Sequence, residues 1–250
     1  MRILLLNPNT STGITGLLSA AARPAAAAGT EIVAMTAPRG VPYIASRAEA
    51  AVGGVVALEM LAEHHAGFDA AIIAAFGDPG LGAARELFPI PVIGLAEAGM
   101  LAACMLGARF GIVTFSASLE AWYHECVAWH GLQGRCAGVF AAAGGFSGIE
   151  AVQAEKAEAL IGLAAEAVAA GADVVVLAGA PLSGLAALVR DRIDVPVVDC
   201  PVAAVKMAEA LVALNVRKPI AGSFRRPGAK PVTGMDGALA RWIAHNNSGP

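Results

Sequence analysis

The segments of this chain that could do chemistry are short, and each follows an apolar run. Asn7-Pro8-Asn9-Thr10-Ser11 leaves one such run and enters a helical pattern, so its amides and hydroxyls can hold an anion or a carbonyl. Two asparagines around a proline exceed what capping by Thr10, Ser11 or Thr12 requires. Asn9 is therefore a candidate ligand contact, and Thr10 a cap and contact together. Phe76-Gly77-Asp78-Pro79-Gly80 opens a second loop, where the N–H groups of Phe76 and Gly77 can form an anion nest. Asp78 is the acidic side chain there. Burial could raise its pKa and make it a general base, although Asp before Pro-Gly more often forms a turn or caps the next helix. Glu97 stands between the same two roles. Thr114, with Phe115 and Ser116, ends another apolar run as ligand contact or cap. Tyr43 follows Pro42 in a loop, where its phenol faces either a pocket or a subunit contact.

Other reactive side chains point to less. Ser183 has no histidine expected nearby to activate it. The four cysteines, Cys104, Cys126, Cys136 and Cys200, form no CxxC pair and have no histidine at ligand spacing, so neither a zinc site nor a disulfide framework is expected. Cys200, just after a strand, reads as small buried filler. His64, His65, His124 and His130 fall on helices without carboxylates at metal-binding spacing and read as solvent-facing. No P-loop, GxGxxG fingerprint or metal cluster appears, and no cofactor or metal is expected. The basic run Arg217, Lys218, Arg225, Arg226 and Lys230 is interleaved with Pro, Gly and only one aromatic, Phe224. It reads as a surface or interface segment and not a nucleic-acid patch.

The elements that must position these residues follow from composition and alternation. Apolar residues make up 57% of the 250 and charged residues 15%, which suits strands covered on both faces. A net charge of -3 gives no overall attraction for nucleic acid or anionic membrane. Reduced thiols and the absence of a signal-peptide pattern suggest the cytoplasm. Phe88 to Leu106 is nearly uncharged, but Pro89, Pro91, Gly94 and Glu97 break it into a loop, a short strand and a helix start.

Strands and helices alternate throughout, the pattern of an α/β protein with parallel sheets. Strands are expected at 2–6, 30–36, 69–75, 91–94, 110–115, 136–142, 173–178 and 195–199. Helices are expected at 13–27, 47–65, 80–87, 96–106, 119–130, 149–170, 182–192 and 201–214. The chain also repeats itself. Asp69-Ala-Ala-Ile-Ile-Ala-Ala-Phe-Gly-Asp-Pro-Gly-Leu81 lines up with Asp173-Val-Val-Val-Leu-Ala-Gly-Ala-Pro-Leu-Ser-Gly-Leu185. Ile90-Pro-Val-Ile-Gly94 matches Val195-Pro-Val-Val-Asp199 at nearly the same offset. Two pseudo-symmetric lobes follow, each a mainly parallel four-stranded sheet flanked by helices: 1–97 with 205–250, and 98–204. Ligands of open α/β sheets bind beyond the carboxyl ends of the strands. The loops starting at Ala75 and Gly179 should therefore face each other across one cleft. Ala180 then offers an N–H, but Pro181 has none, so the two loops are unequal donors.

The order and spacing of several motifs resemble the aspartate/glutamate/hydantoin racemases, and within them the hydantoin and allantoin racemases. These are Asn7-Pro8-Asn9-Thr10-Ser11, Gly40-Val41-Pro42-Tyr43-Ile44 with Ser46-Arg47-Ala48-Glu49, Phe76-Gly77-Asp78-Pro79-Gly80, and Phe110-Gly111-Ile112-Val113-Thr114. The resemblance covers nearly the whole chain. It implies a pseudo-symmetric two-lobed fold, a homo-oligomer and cofactor-independent chemistry. It also implies two catalytic cysteines, one after the third strand of each half, because racemisation needs an acid/base group on each face of the reacting carbon.

Those two positions are Ala75 and Gly179 here, and neither side chain can accept a proton. Three readings remain open: inactivating substitutions, a natural branch with a different reaction, or a pocket kept for binding alone. If the chain is an enzyme, the retained amide cradle suggests lyase, decarboxylase-like or hydrolytic chemistry, or racemisation by displaced bases. The expected ligand is a small anionic or cyclic-amide molecule, such as an amino acid, a dicarboxylate or a hydantoin-like ring.

Overall fold

The apolar runs are short, rich in Ile, Leu, Val and Ala, and bounded by Gly, Asn or Asp, which suits buried parallel strands. In the computed structural model, which describes residues 1–235 and 237–246, they form two sheets. Strands β1 (Arg2–Asn7), β2 (Glu31–Thr36), β3 (Ala70–Ile73) and β4 (Val92–Gly94) make the first, in the order β2-β1-β3-β4. Strands β5 (Phe110–Thr114), β6 (Cys136–Ala141), β7 (Val174–Ala178) and β8 (Val197–Asp199) make the second, in the order β6-β5-β7-β8. Every pairing is parallel. The shared order is what a duplicated unit produces, and it makes β1 with β3, and β5 with β7, the central pairs.

Helices α1 (Thr12–Ala25), α2 (Arg47–His64), α3 (Leu81–Leu87), α4 (Leu95–Leu106), α5 (Glu120–Trp129), α6 (Val152–Ala169), α7 (Ala186–Val189), α8 (Cys200–Ala213) and α9 (Gly237–Ile243) flank the sheets. Their starts are written locally. The Ser11 hydroxyl accepts the Ile14 N–H at 3.1 Å to cap α1, and the Ser46 hydroxyl accepts the Glu49 N–H at 3.3 Å to cap α2. Two helices exchange sides. α4 follows β4 yet packs on β7 and α8, while α8 follows β8 and packs back on β3 and β4. One apolar cluster therefore runs from Leu5 and Ile72 through Met100 and Ala204 to Ile112 and Val176. The lobes share a core.

Three differences from the sequence expectations have physical causes. The helix expected at 182–192 is interrupted: a 3-10 turn at Ala180–Leu182, the four residues of α7, and another 3-10 turn at Arg190–Arg192 replace it. Gly184 adopts φ +86°, a left-handed conformation that ends any helix begun at Leu182. Helix α9 has no counterpart in the sequence pattern. It seats Leu239 and Trp242 against α2, with the Trp242 ring 4.7 Å from that of His65 and 5.4 Å from that of Phe88. That contact buries His65, against the solvent-facing place its helical pattern suggests. Its Nδ1 lies 2.7 Å from the Leu61 carbonyl, and burial pushes its pKa down. Among the described residues no helix is long and apolar enough to cross a membrane.

Candidate active site between the lobes

The carboxyl ends of the four central strands meet at one closed pocket. Asn9 and Ile14 follow β1, Ala75 and Phe76 follow β3, Phe115 follows β5, and Gly179, Ala180 and Pro181 follow β7. Tyr43 and Ile44 from the loop after β2, and Tyr123 from α5, complete the wall. The space open to the centre of a water molecule is about 20 Å³, enough for one water but not for an organic ring. Above it Tyr43, Phe115 and Phe146 form an aromatic cluster. The Tyr43 ring lies 5.9 Å from that of Phe115 and 6.2 Å from that of Phe146. Tyr43 and Phe146 belong to equivalent loops of opposite lobes, so the mouth is closed by a contact between lobes.

The wall carries no lysine, arginine or histidine, and its polar atoms are few. Asn9 Oδ1 accepts from Asn7 Nδ2 and from the Ser11 N–H, both at 3.0 Å, which fixes the carboxamide and leaves Nδ2 as its donor for a ligand. The Tyr43 hydroxyl is buried without a partner among the described residues. Burial, aided by Glu49, pushes its pKa up, so the phenol stays a donor. Burial does the same to Tyr123, next to Tyr43, while the neighbouring Thr114 hydroxyl opposes it. Both tyrosines can donate a hydrogen bond to a carbonyl, and neither is a base near neutral pH.

Ala75 and Gly179 stand on the two sides of this pocket, and they are not equivalent. Ala75 is 6% exposed and offers a methyl group. Gly179 has φ +119°, and a β-carbon there would stand 2.7 Å from Phe115 Cε1 and 3.5 Å from the Tyr123 hydroxyl. Phe115 thus fills the space that a longer side chain at position 179 would need.

The remaining candidates sit elsewhere. Thr114 is fully buried and donates to the Ala178 carbonyl at 2.9 Å, bracing β5 to β7. Thr10 donates its N–H to the Val41 carbonyl at 2.9 Å and holds the loop that carries Tyr43. Gly77 turns away from the pocket, and its N–H points at the Cys126 sulfur. Cys200 is buried under the sheet, its thiol 3.4 Å from the Leu177 carbonyl. Ser183 donates to the Ala180 carbonyl at 2.7 Å and lies apart from the pocket.

Asp78 faces a different neighbourhood. Its backbone is left-handed at φ 48°, and its carboxylate accepts the Ala96 and Glu97 N–H groups at 2.8 Å each, capping α4 from 18 residues upstream. The same carboxylate meets His130 Nε2 at 2.9 Å. The helical position of His130 suggests solvent, but its side chain is only 5% exposed because the loop after β3 covers it. Glu97 pairs with Arg85, which also donates to the Val92 carbonyl at 3.0 Å. Cys126 lies beside this group, and burial with Asp78 nearby pushes its thiol pKa up. Sequence reasoning misses the grouping, although Cys126 and His130 are four apart and so share one face of α5.

Two lobes whose central strands converge on one enclosed pocket define a pseudo-symmetric, two-lobed α/β fold. A family model described as Asp/Glu/Hydantoin racemase matches residues 3–208. A hydantoin racemase of Paenarthrobacter aurescens is 36% identical over 233 residues, covering 92% of this chain and 99% of that protein. The solved allantoin racemase from Klebsiella pneumoniae superposes with a TM-score of 0.89 at 36% identity, covering 96% of this chain and 98% of that one. The allantoin racemase of Pseudomonas fluorescens gives 0.85 at 30% identity, over 94% of this chain and 100% of that one. The chain belongs to the Asp/Glu/hydantoin racemase family, in its hydantoin/allantoin branch.

Proposed function

We propose that this protein takes a hydantoin- or allantoin-class cyclic ureide between Ala75 and Gly179 when the Tyr43–Phe146 contact at the mouth parts and widens the pocket, with the ring carbon between the lobes, and that thiols take no part in its reaction. The observation that carries the reading is the wall itself. Aromatic and apolar faces enclose it, its polar atoms are phenols, a carboxamide and backbone, and it has no cation to neutralise a carboxylate. Such a wall fits a flat, neutral ring with carbonyl groups better than an amino acid or a dicarboxylate. Likeness to hydantoin and allantoin racemases along nearly the whole chain supports the same ligand class, and favours racemase-type proton exchange over lyase, decarboxylase-like or hydrolytic reactions.

Two phenols that donate to ring carbonyls stabilise the enolate-like form in which the carbon has lost its proton. With Ala75 and Gly179 on its two sides, no side chain there takes that proton, so the base is water and exchange is slow. The test is binding and exchange together. Hydantoin and allantoin should stabilise the protein saturably, while aspartate, glutamate and malonates should not. Exchange of the ring hydrogen in D2O should be slow and indifferent to thiol alkylation. Placing one thiol in the pocket by Ala75→Cys should speed it at least about tenfold, the low side of what one positioned acid/base group supplies. Stabilisation by acyclic amino acids alone, or fast exchange abolished by alkylation, overturns the reading.

A further inference from the structure

We propose that Asp78, Cys126 and His130 form a zinc site at the seam between the lobes, separate from the pocket that holds Ala75 and Gly179. One donor atom from each of the three lies within 4.8 Å of the others. A carboxylate oxygen, a sulfur and an imidazole nitrogen are the donor types of three-ligand zinc sites that leave a fourth position for water. A tetrahedral ion with bonds of about 2.0–2.3 Å sets its donors roughly 3.3–3.8 Å apart, so the Cys126 sulfur must draw in while His130 Nε2 and Asp78 Oδ2, now 2.9 Å apart, open slightly. The Cys126 and His130 side chains, on one face of the end of α5, can make that movement against Asp78.

The surroundings support the ligands. For His130 Nε2 to bind metal, the ring must carry its proton on Nδ1, and Glu97 Oε1, 3.7 Å away, is the carboxylate that a small shift of the ring would bring within hydrogen-bond reach of it. Glu97 is held in turn by Arg85, whose Nη1 donates at 2.9 Å. A carboxylate behind a metal-bound histidine fixes the tautomer and raises its basicity. The charges also close: Zn²⁺ is balanced by the Asp78 carboxylate and the Cys126 thiolate, and Glu97 by Arg85. Beside the cluster lies a groove of about 520 Å³ lined by Asp78, Gly77, Cys126, Trp122 and Trp129, which gives a route for the ion and room for its water.

Binding is an acid–base exchange with no redox step. The Cys126 thiol gives its proton to solvent, and the imidazole hydrogen that faces Asp78 from Nε2 is exchanged through solvent for one on Nδ1, which frees the Nε2 lone pair for the ion in place of its contact with Asp78. Because Asp78 comes from the first lobe and the other two from the second, the ion ties the lobes together.

The test uses the full chain, stripped of metal with a chelator and titrated with Zn²⁺ against a chromophoric competitor in weak buffer. One ion should bind per chain, with release of about one proton and a rise in Tm. Cys126→Ser and His130→Gln should each weaken binding more than tenfold, Glu97→Gln by a smaller factor, and Cys104→Ser with Cys136→Ser not at all. His130→Gln removes a buried partner and could unfold the chain. Cobalt(II) therefore provides a second reading: the wild-type protein should show a thiolate-to-cobalt charge-transfer band that Cys126→Ser lacks while keeping its circular dichroism. No ion bound in excess Zn²⁺, or binding and band that survive Cys126→Ser, overturns the proposal. The ring-binding assay at Ala75 and Gly179 is independent of either result.

Discussion

His130 Nε2 lies 2.9 Å from Asp78 Oδ2, joining the end of α5 in the second lobe to the loop after β3 in the first. The carboxylate also holds the N–H groups of the second and third residues of α4, so one side chain serves a helix start and a lobe junction. Removing it strands two amide donors and a buried imidazole together. Asp78→Ala should cost about 3–5 kcal/mol, the range for breaking one partner of a buried pair. Asp78→Asn keeps the shape and tolerates the left-handed backbone, and should cost less. Urea denaturation of the three proteins checks the order; equal stability of Asp78→Ala and wild type would sink the junction.

The two sides of the pocket should respond unequally to a new side chain. Ala75→Cys adds one sulfur beside an existing cavity and should change stability by less than about 1 kcal/mol. Gly179→Cys puts a β-carbon against Phe115 on a backbone with φ +119°. It should cost about 1–3 kcal/mol from overpacking, and more with the backbone strain. Phe115→Leu in the same chain should recover the overpacking part but not the strain. Thermal denaturation of the wild type and the three variants gives the comparison. Full recovery, or no loss at position 179, contradicts the geometry.

Asp199 should give the protein a pH-dependent stability. Its Oδ2 accepts the Gly184 N–H at 2.7 Å, its Oδ1 has no partner among the described residues, and burial raises its pKa from 3.8 to about 6. The raised value means that the folded state prefers the protonated acid. In the unfolded chain the group ionises first, so stability falls as pH rises from about 4 to about 6 and then levels off. The full loss is about 3 kcal/mol at 1.36 kcal/mol per pKa unit, an order-of-magnitude figure. Asp199→Asn keeps the bond from Gly184 and removes the charge. It should raise Tm at pH 8 and leave it nearly unchanged at pH 4. An unaltered pH profile in the variant would show that another group carries the effect.

The duplication is readable because buried parallel strands leave an unbroken apolar run, and the runs at 69–75 and 173–178 recur with the same flanking Asp and Gly-Leu. The meeting of the loops at Ala75 and Gly179 is implied by that recurrence and by where open sheets bind ligands. The role of Asp78 is hidden because its partners, Ala96, Glu97 and His130, come from elements that only folding brings together. The lobes even solve the same position in opposite ways. In the first, Gly94 ends β4 and the Asp78 carboxylate occupies the space a β-carbon there would need, at 2.4 Å. In the second, the counterpart of Gly94 is Asp199, which carries its own carboxylate, while the counterpart of Asp78 is Leu182. An alignment of halves sees these as mismatches, and only the packing shows a carboxylate moved from one loop to the next. Helix α9 escapes the sequence pattern because its stability comes from seating Trp242 and Leu239 on α2, a tertiary contact that local periodicity does not report.

Tyr43 should separate binding from stability. Its hydroxyl is buried in the pocket wall with no partner among the described residues, and an unpaired buried hydroxyl costs about 1–3 kcal/mol. Tyr43→Phe removes that cost and keeps the ring that packs on Phe115 and Phe146, so the unliganded protein should gain about 1 kcal/mol or more. A cyclic ureide held in the pocket loses a hydrogen-bond donor at the same time, worth roughly 0.5–1.5 kcal/mol, and its affinity should fall about threefold to tenfold. Phe146→Ala, which opens the mouth without touching a donor, should instead lower stability and speed ligand dissociation. Thermal shift with and without hydantoin, and calorimetric titration of both variants, read the two effects separately. A Tyr43→Phe protein that is less stable and binds the ring unchanged would mean that the phenol is already satisfied and faces no ligand.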